Sequence, residues 1–470
     1  MNEKNLLEML KMTYGEPFFR KGKKSVTLNQ QFFVAYYAEI ENPIYYLPEK
    51  QFYMYHAEKG IWECVTDEKM LNSLGLVLHQ FADEVEEPLI ECNRNASTLS
   101  ALLKLLKGRV ENKDAFSKCD REFVHCANCI LEYDHSSNSW EEKEFSPEYY
   151  SRNQNPIKYD PVGQCGDFTK KLLKTAMTDD DIDHLQMYLG QCLLGKNLSQ
   201  TFLLLIGTPG GGKSTLVNVI EGIVGRWNCT ELRLEHMGSR FEISSARGKN
   251  LLTAKDVNSE FMSGPGAGKL KAITGNDIMT AELKSSNSRF DIQGNFNVII
   301  TSNATLRIKL DGDFEAWRRR ILLIKYDKPK TNEVIVDFDK KLLTNEGSGI
   351  LNWALEGAAK LLRNGGKIHK SVEQQKAINF LLQSSRPFEV FANNFIHPQL
   401  DSTITTKEVV TCFSKFCEKM KWPPVLERMT QKKFHEYMRI KHAAILRKNI
   451  KRNGRCKRGY AHFIIKQVVN

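Results

Sequence analysis

The sequence contains no long hydrophobic run and no leader-like segment. Its apolar runs, such as residues 202–207, are far shorter than the ~20 residues that a membrane-spanning helix needs. The first thirty residues lack the apolar core of a signal peptide. We therefore expect a cytoplasmic protein with no membrane partner. With 30 glycines and 14 prolines among 470 residues, the chain also lacks the composition of collagen-like and low-complexity proteins.

Paired cysteine motifs are scarce as well. The 11 cysteines are an odd number scattered along the chain, which argues against a disulfide framework. Cys126 and Cys129 are spaced like one half of a zinc site, and Cys119 lies close to them in the sequence. Cys165 would be the nearest fourth ligand. The alternative, which we favour, is that Cys126 and Cys129 are small buried thiols within a strand.

Negative charge is almost absent from the carboxyl-terminal forty residues. Residues 431–470 contain twelve Lys or Arg and one acidic residue, whereas the other 430 residues carry 55 charges of each sign. The net charge of +11 is thus concentrated where a polyanion could bind, although a solvated basic tail is the alternative. The candidates for phosphate contacts are Arg447, Lys448, Lys451, Arg452, Arg455, Lys457 and Arg458.

Hydrophobic spacing and turn residues predict a series of local structures. In chain order these are two aromatic strands at 52–65 around a Lys59–Gly60 turn, helical structure at 69–107, a proline-containing linker at 145–163, a helix that starts at Thr178, alternating strands and helices at 201–327, helices at 340–395, and helices followed by a basic hairpin around Asn453–Gly454 at 404–467.

The strongest motif is a glycine-rich loop between an apolar strand and an apolar-periodic helix. It reads G-x-x-x-x-G-K-S from Gly207 to Ser214, in the strand–loop–helix context that confirms a phosphate-binding loop. Its glycines let backbone N–H groups face phosphate oxygens, the lysine reaches the β- and γ-phosphates, and the serine hydroxyl binds Mg²⁺. The predicted ATP and Mg²⁺ contacts are Gly207, Thr208, Pro209, Gly210, Gly211, Gly212, Lys213, Ser214 and Thr215.

Other nucleotide-enzyme signatures are missing. The chain has no Asn-Lys-x-Asp motif for guanine and no segment that argues for the substrate lid of a nucleotide kinase. A second glycine-rich segment, 263–270, lacks both the first glycine and the final Ser or Thr of the motif. We interpret that segment as a mobile loop.

Three later features fit a ring-forming ATPase. Asp256 ends an apolar strand and could bind the water shell of Mg²⁺, and Asn303 ends another strand and could reach the γ-phosphate. Three arginines at 318–320 precede a further strand and could act on the ATP of a neighbouring subunit. Each feature has a simpler alternative. Asp256 could be an acidic residue of a turn, Asn303 could cap a strand end, and the arginines could form a cluster that faces solvent or DNA.

From about residue 123 onward the sequence resembles superfamily 3 helicases, of the primase–helicase branch found in viruses, phages, plasmids and integrated elements. The similar segments are Asn128–Tyr133, the motif Lys271-x-x-Thr274-Gly-Asn-Asp277, the strand before Asn303, the segment Asp313–Arg320, residues 346–362, and the helices and basic hairpin after residue 405. The phosphate-binding loop is specific by itself, and the others are specific in combination.

The resemblance implies a role for each matching residue. Lys213, Ser214 and Asp256 would hold ATP and Mg²⁺, and Asn303 would be the sensor. Arg319 would be the arginine finger, because it alone fits the family pattern whether the alignment runs forward from Trp317 or back from Tyr326. Lys271, Thr274 and Asp277 would lie just before a hairpin whose Lys284 grips DNA in the channel of a ring, and Lys271 would be a further DNA-binding residue. Three positions depart from the family pattern, namely Lys255 at the first of two acidic positions, Asn276 at a glycine, and Cys129 at a glycine.

The same resemblance implies an α/β, AAA+-like motor and a domain order. We expect a mixed α/β accessory region at 1–120, a pre-helicase or helical collar region at 121–200, the ATPase core at 201–330, a helical extension at 331–395, and a basic winged helix at 396–470. Residues 1–120 have no Asp-x-Asp after an apolar strand, so priming would require a separate primase.

The functional prediction is an ATP-driven hexameric DNA helicase or replication initiator of a mobile element that moves on single-stranded DNA and also contacts origin duplex. Two alternatives remain at this point. One is an origin-binding initiator that ATP switches and that unwinds little, which would suit Lys255 and the basic carboxyl terminus. The other is a regulatory ATPase without nucleic acid, against which Lys284 and the basic terminus both weigh.

Overall fold

The structure is a computed structural model that describes residues 3–22, 25–116, 121–239, 241–282, 289–310, 313–327, 335–420, 422, 424–452 and 454–466. Its amino-terminal part mixes helices and short strands. The elements are α1 Glu3–Tyr14, β1 Phe18–Lys21, β2 Ser25–Leu28, α2 Gln30–Glu41, β3 Ile44–Tyr46, β4 Gln51–His56, β5 Ile61–Val65, α3 Asp67–Glu84, α4 Ala96–Arg109 and β6 Glu111–Asn112.

The amino-terminal part has its own aromatic core. Phe33, Tyr36 and Phe81 are fully or almost fully buried, and their ring centroids lie 4.8–6.4 Å apart. Strands β4 and β5 pair as the predicted antiparallel hairpin, with His56 opposite Ile61. The prediction of two aromatic strands at 52–65 is therefore confirmed.

A three-stranded antiparallel sheet and a long helix lead to the central part of the chain. The elements are β7 Phe123–His125, β8 Ile130–Asp134, β9 Ser139–Lys143 and α5 Asp179–Leu194, with a π-helical turn at Phe168–Leu173 between the last two. Thr178 caps α5, because its side chain accepts a hydrogen bond from the backbone N–H of Asp181. The predicted start of this helix is therefore confirmed.

The secondary structure predicted at Cys126 and Cys129 is wrong. Cys126 and Cys129 do not lie in a strand but in the turn between β7 and β8, where the N–H of Cys126 donates to the carbonyl of Cys129. Both thiols are buried, as expected. Within the described ranges no three His, Cys, Asp or Glu side chains are grouped as metal ligands, and Cys119 lies outside those ranges.

The 145–163 segment is not a free linker. Tyr149 and Asn155 are buried, and the Asn155 side chain donates to the carbonyl of His125. Further along, the side chain of Asn352 donates to the carbonyl of Asp160 at 2.8 Å. The prolines and turn residues thus specify an irregular but packed segment, since a hydrogen-bonded buried backbone needs no regular structure.

The central part is a parallel sheet with helices on both faces. Its elements are β10 Phe202–Ile206, α6 Lys213–Val224, β11 Cys229–Glu231, β12 Leu251–Val257, α7 Lys269–Thr274, β13 Ile278–Glu282, β14 Arg289–Gln293, β15 Asn297–Ser302, α8 Phe314–Arg320 and β16 Ile321–Lys325. Five of these strands pair in parallel in the order β11-β12-β15-β10-β16, and β13 and β14 form a separate antiparallel hairpin.

The predicted mobile loop at 263–270 has a different structure. Pro265–Gly268 form a 3₁₀ turn that continues into α7, and Gly266 and Ala267 are buried. A Cβ atom on Gly266 would lie 1.8 Å from the carbonyl oxygen of Leu234. Gly266 therefore permits close packing of backbone on backbone, which is a structural reason for a glycine here that does not involve phosphate.

The carboxyl-terminal part is helical and then mixed. Its elements are α9 Phe338–Arg363, α10 Val372–Ser384, α11 Pro387–Phe395, β17 Ile396–Thr405, α12 Thr406–Lys419, α13 Glu427–His442, β18 Arg447–Arg452 and β19 Arg455–Ile465. Strands β17, β19 and β18 form an antiparallel sheet around an aromatic core that includes Phe388, Phe391, Phe413 and Phe434. Helix α11 belongs to this core although it precedes residue 396.

The whole chain is thus a mixed α/β protein with a parallel central sheet. Along β10, Leu203 and Leu205 face a core shared with α5, α6 and α9, whereas Phe202 and Leu204 face a second core shared with α7, α8 and α10. Both faces of the sheet are covered, as is usual for parallel sheets. Among the described helices, none has the length and apolar character to cross a membrane.

The crossing of α5 and α9 depends on two glycines. A Cβ atom on Gly190 would lie 2.2 Å from the backbone nitrogen of Ala358, and one on Gly357 would lie 2.0 Å from the carbonyl oxygen of Gln186. The two backbones therefore touch where neither helix has a side chain. This contact anchors α9 beside the sheet that carries the glycine-rich loop.

We predict that Gly190→Ala lowers the free energy of unfolding by about 1–3 kcal/mol, because the added methyl must push the helices apart. The measurement is the urea midpoint of unfolding. Gly108→Ala is the matched control, since Gly108 is exposed in α4 with no atom within 4 Å of its added Cβ. That change should raise stability by about 0.5–1 kcal/mol, and equal effects of the two changes would contradict the packing argument.

Candidate active site

The glycine-rich loop occupies residues 207–212, between β10 and the first turn of α6. Gly210 and Gly212 have φ angles of +75° and +99°, which other residues rarely adopt. A Cβ atom on Gly207 would lie 1.8 Å from the carbonyl oxygen of Tyr326, just beyond β16. The loop thus turns tightly into the amino terminus of a twelve-residue helix, whose unpaired N–H groups attract anions.

The Lys213 side chain lies inside this loop. Its ammonium donates to the carbonyls of Gly207 at 2.9 Å and Thr208 at 2.8 Å, and to Oδ1 of Asn303 at 2.7 Å. Burial lowers the pKa of this lysine, and the nearby carboxylates of Asp256 and Asp327 oppose that shift. The lysine and the asparagine that the sequence predicts as phosphate ligand and sensor are therefore in direct contact.

Ser214 and Asp256 also meet at this edge of the sheet. The serine hydroxyl donates to Oδ2 of Asp256 at 3.2 Å. Asp256 has a positive φ of 50° at a register shift between β12 and β15, and its N–H donates to Oγ1 of Thr301 at 2.8 Å. A hydroxyl oxygen beside a carboxylate is a donor set that suits Mg²⁺, which usually completes its shell with water and phosphate oxygens.

The four residues come together because their strands are parallel. Asn303 follows β15, which pairs directly with β10, and Asp256 lies near the end of β12, on the far side of β15. The carboxyl ends of these strands share one edge of the sheet, where open α/β sheets bind ligands. The other loop residues of the prediction, Thr208 to Gly212 and Thr215, lie at this same edge.

Lys255, at the first of the two acidic positions of the sequence pattern, is turned toward α6. Its ammonium lies 2.8 Å from Oε2 of Glu221 and donates to Oδ1 of Asn218 at 3.0 Å. Glu221 is almost buried, and its other oxygen accepts from the hydroxyl of Thr253 at 2.8 Å. The lysine therefore compensates a buried carboxylate of the neighbouring helix.

The three arginines of α8 have different surroundings. Arg318 lies 2.9 Å from Glu315 in the same helix, and Arg320 is buried, so that desolvation lowers its pKa. The side chain of Arg319 is exposed, and within the described part of the chain no ion pair engages it. Arg319 is therefore the arginine of this helix that is available to a neighbouring molecule.

A lysine that sequence reasoning did not identify fixes the end of α8. Lys370 donates to the carbonyls of Arg318 at 2.8 Å and Arg319 at 2.6 Å, where the helix leaves carbonyls unpaired. Burial, together with the charge of Arg318, lowers the pKa of Lys370 to about 8. No local pattern around residue 370 indicates this role, because its partners are about fifty residues away.

The predicted DNA-contacting residues fall into three groups. Lys284 lies outside the described residues, between β13 and β14. Lys271 and Arg452 are engaged within the fold: Lys271 lies 2.5 Å from Asp313, and Arg452 lies 2.8 Å from Glu408. The remaining candidates are on the β18–β19 hairpin, exposed except for the half-buried Lys457, namely Arg447, Lys448, Lys451, Arg455, Lys457 and Arg458.

Comparison with known proteins gives one family-model match and a set of similar solved structures. The model of DUF5906, a family of unknown function, matches residues 205–320, which include the glycine-rich loop, Asp256, Asn303 and α8. No curated protein matches the chain. The chain is similar to two apo structures of the C-terminal region of NrS-1. One gives 12% identity and a TM-score of 0.46 over 89% of this chain and 96% of that one. The other gives 13% identity and a TM-score of 0.48 over 90% of this chain and 96% of that one.

Proposed function

We propose that the protein is an ATP-hydrolysing DNA motor of the superfamily 3 type, with an AAA+-like core at 201–330. The observation that supports this most is the convergence of Lys213, Asn303, Ser214 and Asp256 at the carboxyl edge of the parallel sheet. These are the residues that the sequence resemblance assigns to phosphate, sensor and metal. Lys213 and Ser214 begin α6 after β10, whereas Asn303 follows β15 and Asp256 lies near the end of β12. The four residues form two hydrogen-bonded pairs, Lys213 with Asn303 and Ser214 with Asp256.

In this proposal the loop binds the phosphates of ATP. Lys213 exchanges its loop carbonyls for β- and γ-phosphate oxygens, and the N–H groups of α6 face the same anion. Mg²⁺, held by Ser214 and Asp256, would neutralise charge on the β- and γ-phosphates. Asn303 is placed to contact the γ-phosphate or the attacking water, because it already contacts the lysine that reaches the same group.

Arg319 is proposed to act on the ATP of the adjacent subunit of a hexameric ring. An exposed guanidinium without a carboxylate partner among the described residues can contact an adjacent subunit without first breaking an ion pair of its own subunit. An arginine supplied in this way stabilises the charge of the transition state and can raise turnover by about 10³–10⁵-fold. Hydrolysis of ATP then removes the phosphate charge that Arg319 contacts, and the interface between the two subunits relaxes.

The proposed DNA contacts lie in two places. The β13–β14 hairpin would carry Lys284 toward the strand in the channel, where a lysine neutralises phosphate without reading sequence. The carboxyl-terminal elements follow the order helix, strand, two helices and a basic hairpin, which supports the predicted winged helix. Its exposed β18–β19 cations would contact duplex phosphates. The domain limits and a separate primase remain parts of this proposal.

The alternative is an origin-binding initiator that uses ATP as a switch. The engagement of Lys255 with Glu221 favours it, because the site then has one acid where many relatives have two. The two functions differ in the effector of hydrolysis. A motor responds to single-stranded DNA, whereas a switch hydrolyses slowly and responds to duplex origin DNA.

We predict that single-stranded DNA raises ATP turnover several-fold. Lys213→Ala should lower turnover by at least about 100-fold, because it removes a preorganised cation from the developing phosphate charge. Lys284→Ala should lose the stimulation by DNA. The measurement is steady-state phosphate release with and without single-stranded DNA. Slow turnover that ignores single strands, in a protein that binds duplex, would support the switch instead.

We predict that Arg319→Ala and Lys213→Ala subunits complement each other. Each variant alone should be inactive, and a 1:1 mixture should recover about a quarter of the sites, since only those combine an intact loop with an intact neighbouring arginine. Arg318→Ala is the matched control, because Arg318 is already paired within its own helix. A mixture that recovers no activity would place the arginine in the same subunit as the loop it serves.

We predict that Lys448→Ala/Lys451→Ala weakens binding to duplex DNA for all sequences. Each lost phosphate contact should reduce the slope of log K against log salt by about 0.9. Binding is measured by fluorescence anisotropy at several salt concentrations. The matched control is Lys69→Ala/Lys104→Ala, which removes two exposed charges from α3 and α4. Equal losses in both double variants would show that only net charge matters.

A further inference from the structure

Lys271 faces the arginine helix. Its ammonium lies 2.5 Å from Oδ2 of Asp313, the residue that precedes α8, and 5.8 Å from the centre of the Trp317 ring within α8. The hydrogen bond from Lys271 is the main cause of a lowered pKa of Asp313. Three-quarters of the lysine side chain is covered, so the cation is occupied at its own subunit.

A second contact joins the same two segments at the other end of α8. Arg320 packs so closely on Gly275 that a Cβ atom on the glycine would lie 2.7 Å from its Nη2. The carboxylates of Asp277 and Asp313 both favour the charged form of this buried arginine. Helix α8 therefore touches α7 and the residues just after it at both of its ends.

The segment that makes these contacts is also the base of the β13–β14 hairpin. Strand β13 begins at Ile278, directly after Asp277. The N–H of Gly294 donates to the carbonyl of Asp277 at 2.8 Å, and the N–H of Phe296 donates to the carbonyl of Ile273 at 3.0 Å. The first bond extends the pairing at the base of the hairpin, and the second joins the segment after β14 to α7. Direct contacts therefore lead from the hairpin through α7 and Lys271 to the helix of Arg319.

We propose that Lys271 is a positioning residue that couples the hairpin to the arginine helix through Asp313, and not a residue that contacts DNA. This rests on the proposed motor function. When a strand in the channel holds the hairpin, the Lys271–Asp313 pair sets the position of α8 and hence of Arg319 at the neighbouring ATP. The pair transmits the presence of DNA to hydrolysis.

The ion pair itself contributes little to the stability of the fold. About half of the Asp313 side chain is exposed, and partly exposed ion pairs add little net stability. The backbone N–H of Ala316, in the first turn of α8, also contributes to the lowered pKa of Asp313. Asp313→Asn removes the charge but keeps a side-chain oxygen that can face this N–H. Variants of this pair should therefore fold, and thermal unfolding of each variant checks that they do.

The experiment is a double-mutant cycle of Lys271→Met and Asp313→Asn. Its readouts are the factor by which single-stranded DNA stimulates ATP turnover and the Kd for single-stranded DNA. Each single variant should lose most of the stimulation, and the double variant should lose no more than either one, because the two groups act through one contact. The Kd should stay within about twofold of the wild type, since no phosphate contact is removed.

Lys269→Met is the matched control, because Lys269 is an exposed lysine of the same helix, and this variant should keep the stimulation. If Lys271→Met weakens DNA binding several-fold while Asp313→Asn does not, Lys271 contacts DNA and the coupling is overturned. If the two losses multiply in the double variant, the two groups act independently, which also overturns the coupling. If the wild type itself shows no stimulation by single-stranded DNA, the motor function fails, and the coupling fails with it.

Discussion

The buried ammonium of Lys213 sets the main constraint on the candidate site. A cation removed from water needs compensating oxygens, and this one has the carbonyls of Gly207 and Thr208 and the amide oxygen of Asn303. The first two fix the curvature of the glycine-rich loop. The third joins the loop to the end of β15. The geometry of the loop therefore depends on β15 lying beside β10 in the sheet.

The remaining site residues follow from that arrangement. With β15 between β10 and β12, the end of β12 is close enough for Asp256 to meet Ser214 at 3.2 Å. The register shift at Asp256 gives the strand the turn that aims its carboxylate at the loop. The preceding residue, Lys255, contacts Glu221 further along the same helix α6. A single strand end therefore contributes both to the candidate site and to the charge balance of α6.

Features encoded by neighbouring residues were predictable from the sequence. The strand–loop–helix at 201–225, the hairpin at 52–65 and the Thr178 cap each have their signal within a few residues. The packed structure at 263–270 was not predictable, because Gly266 packs against Leu234, about thirty residues earlier. Lys271 and Lys370 find their partners 42 and about fifty residues away, and no local pattern indicates such partners. The positions of site residues were predictable, and their contacts were not.

Positive charge alone does not identify a DNA contact in this chain. Lys255, Lys271 and Arg452 each lie within 3 Å of a carboxylate of the same subunit, although their positions in the sequence gave no sign of it. Engaging Lys255 with a phosphate would leave the almost buried carboxylate of Glu221 uncompensated. Lys271 and Arg452 would have to give up an existing ion pair, which an exposed lysine without a partner does not. In the proposed function, the exposed cations of the β18–β19 hairpin would therefore contact DNA first. Lys255 and Lys271 instead connect the elements that carry Asp256 and Arg319 to their neighbours.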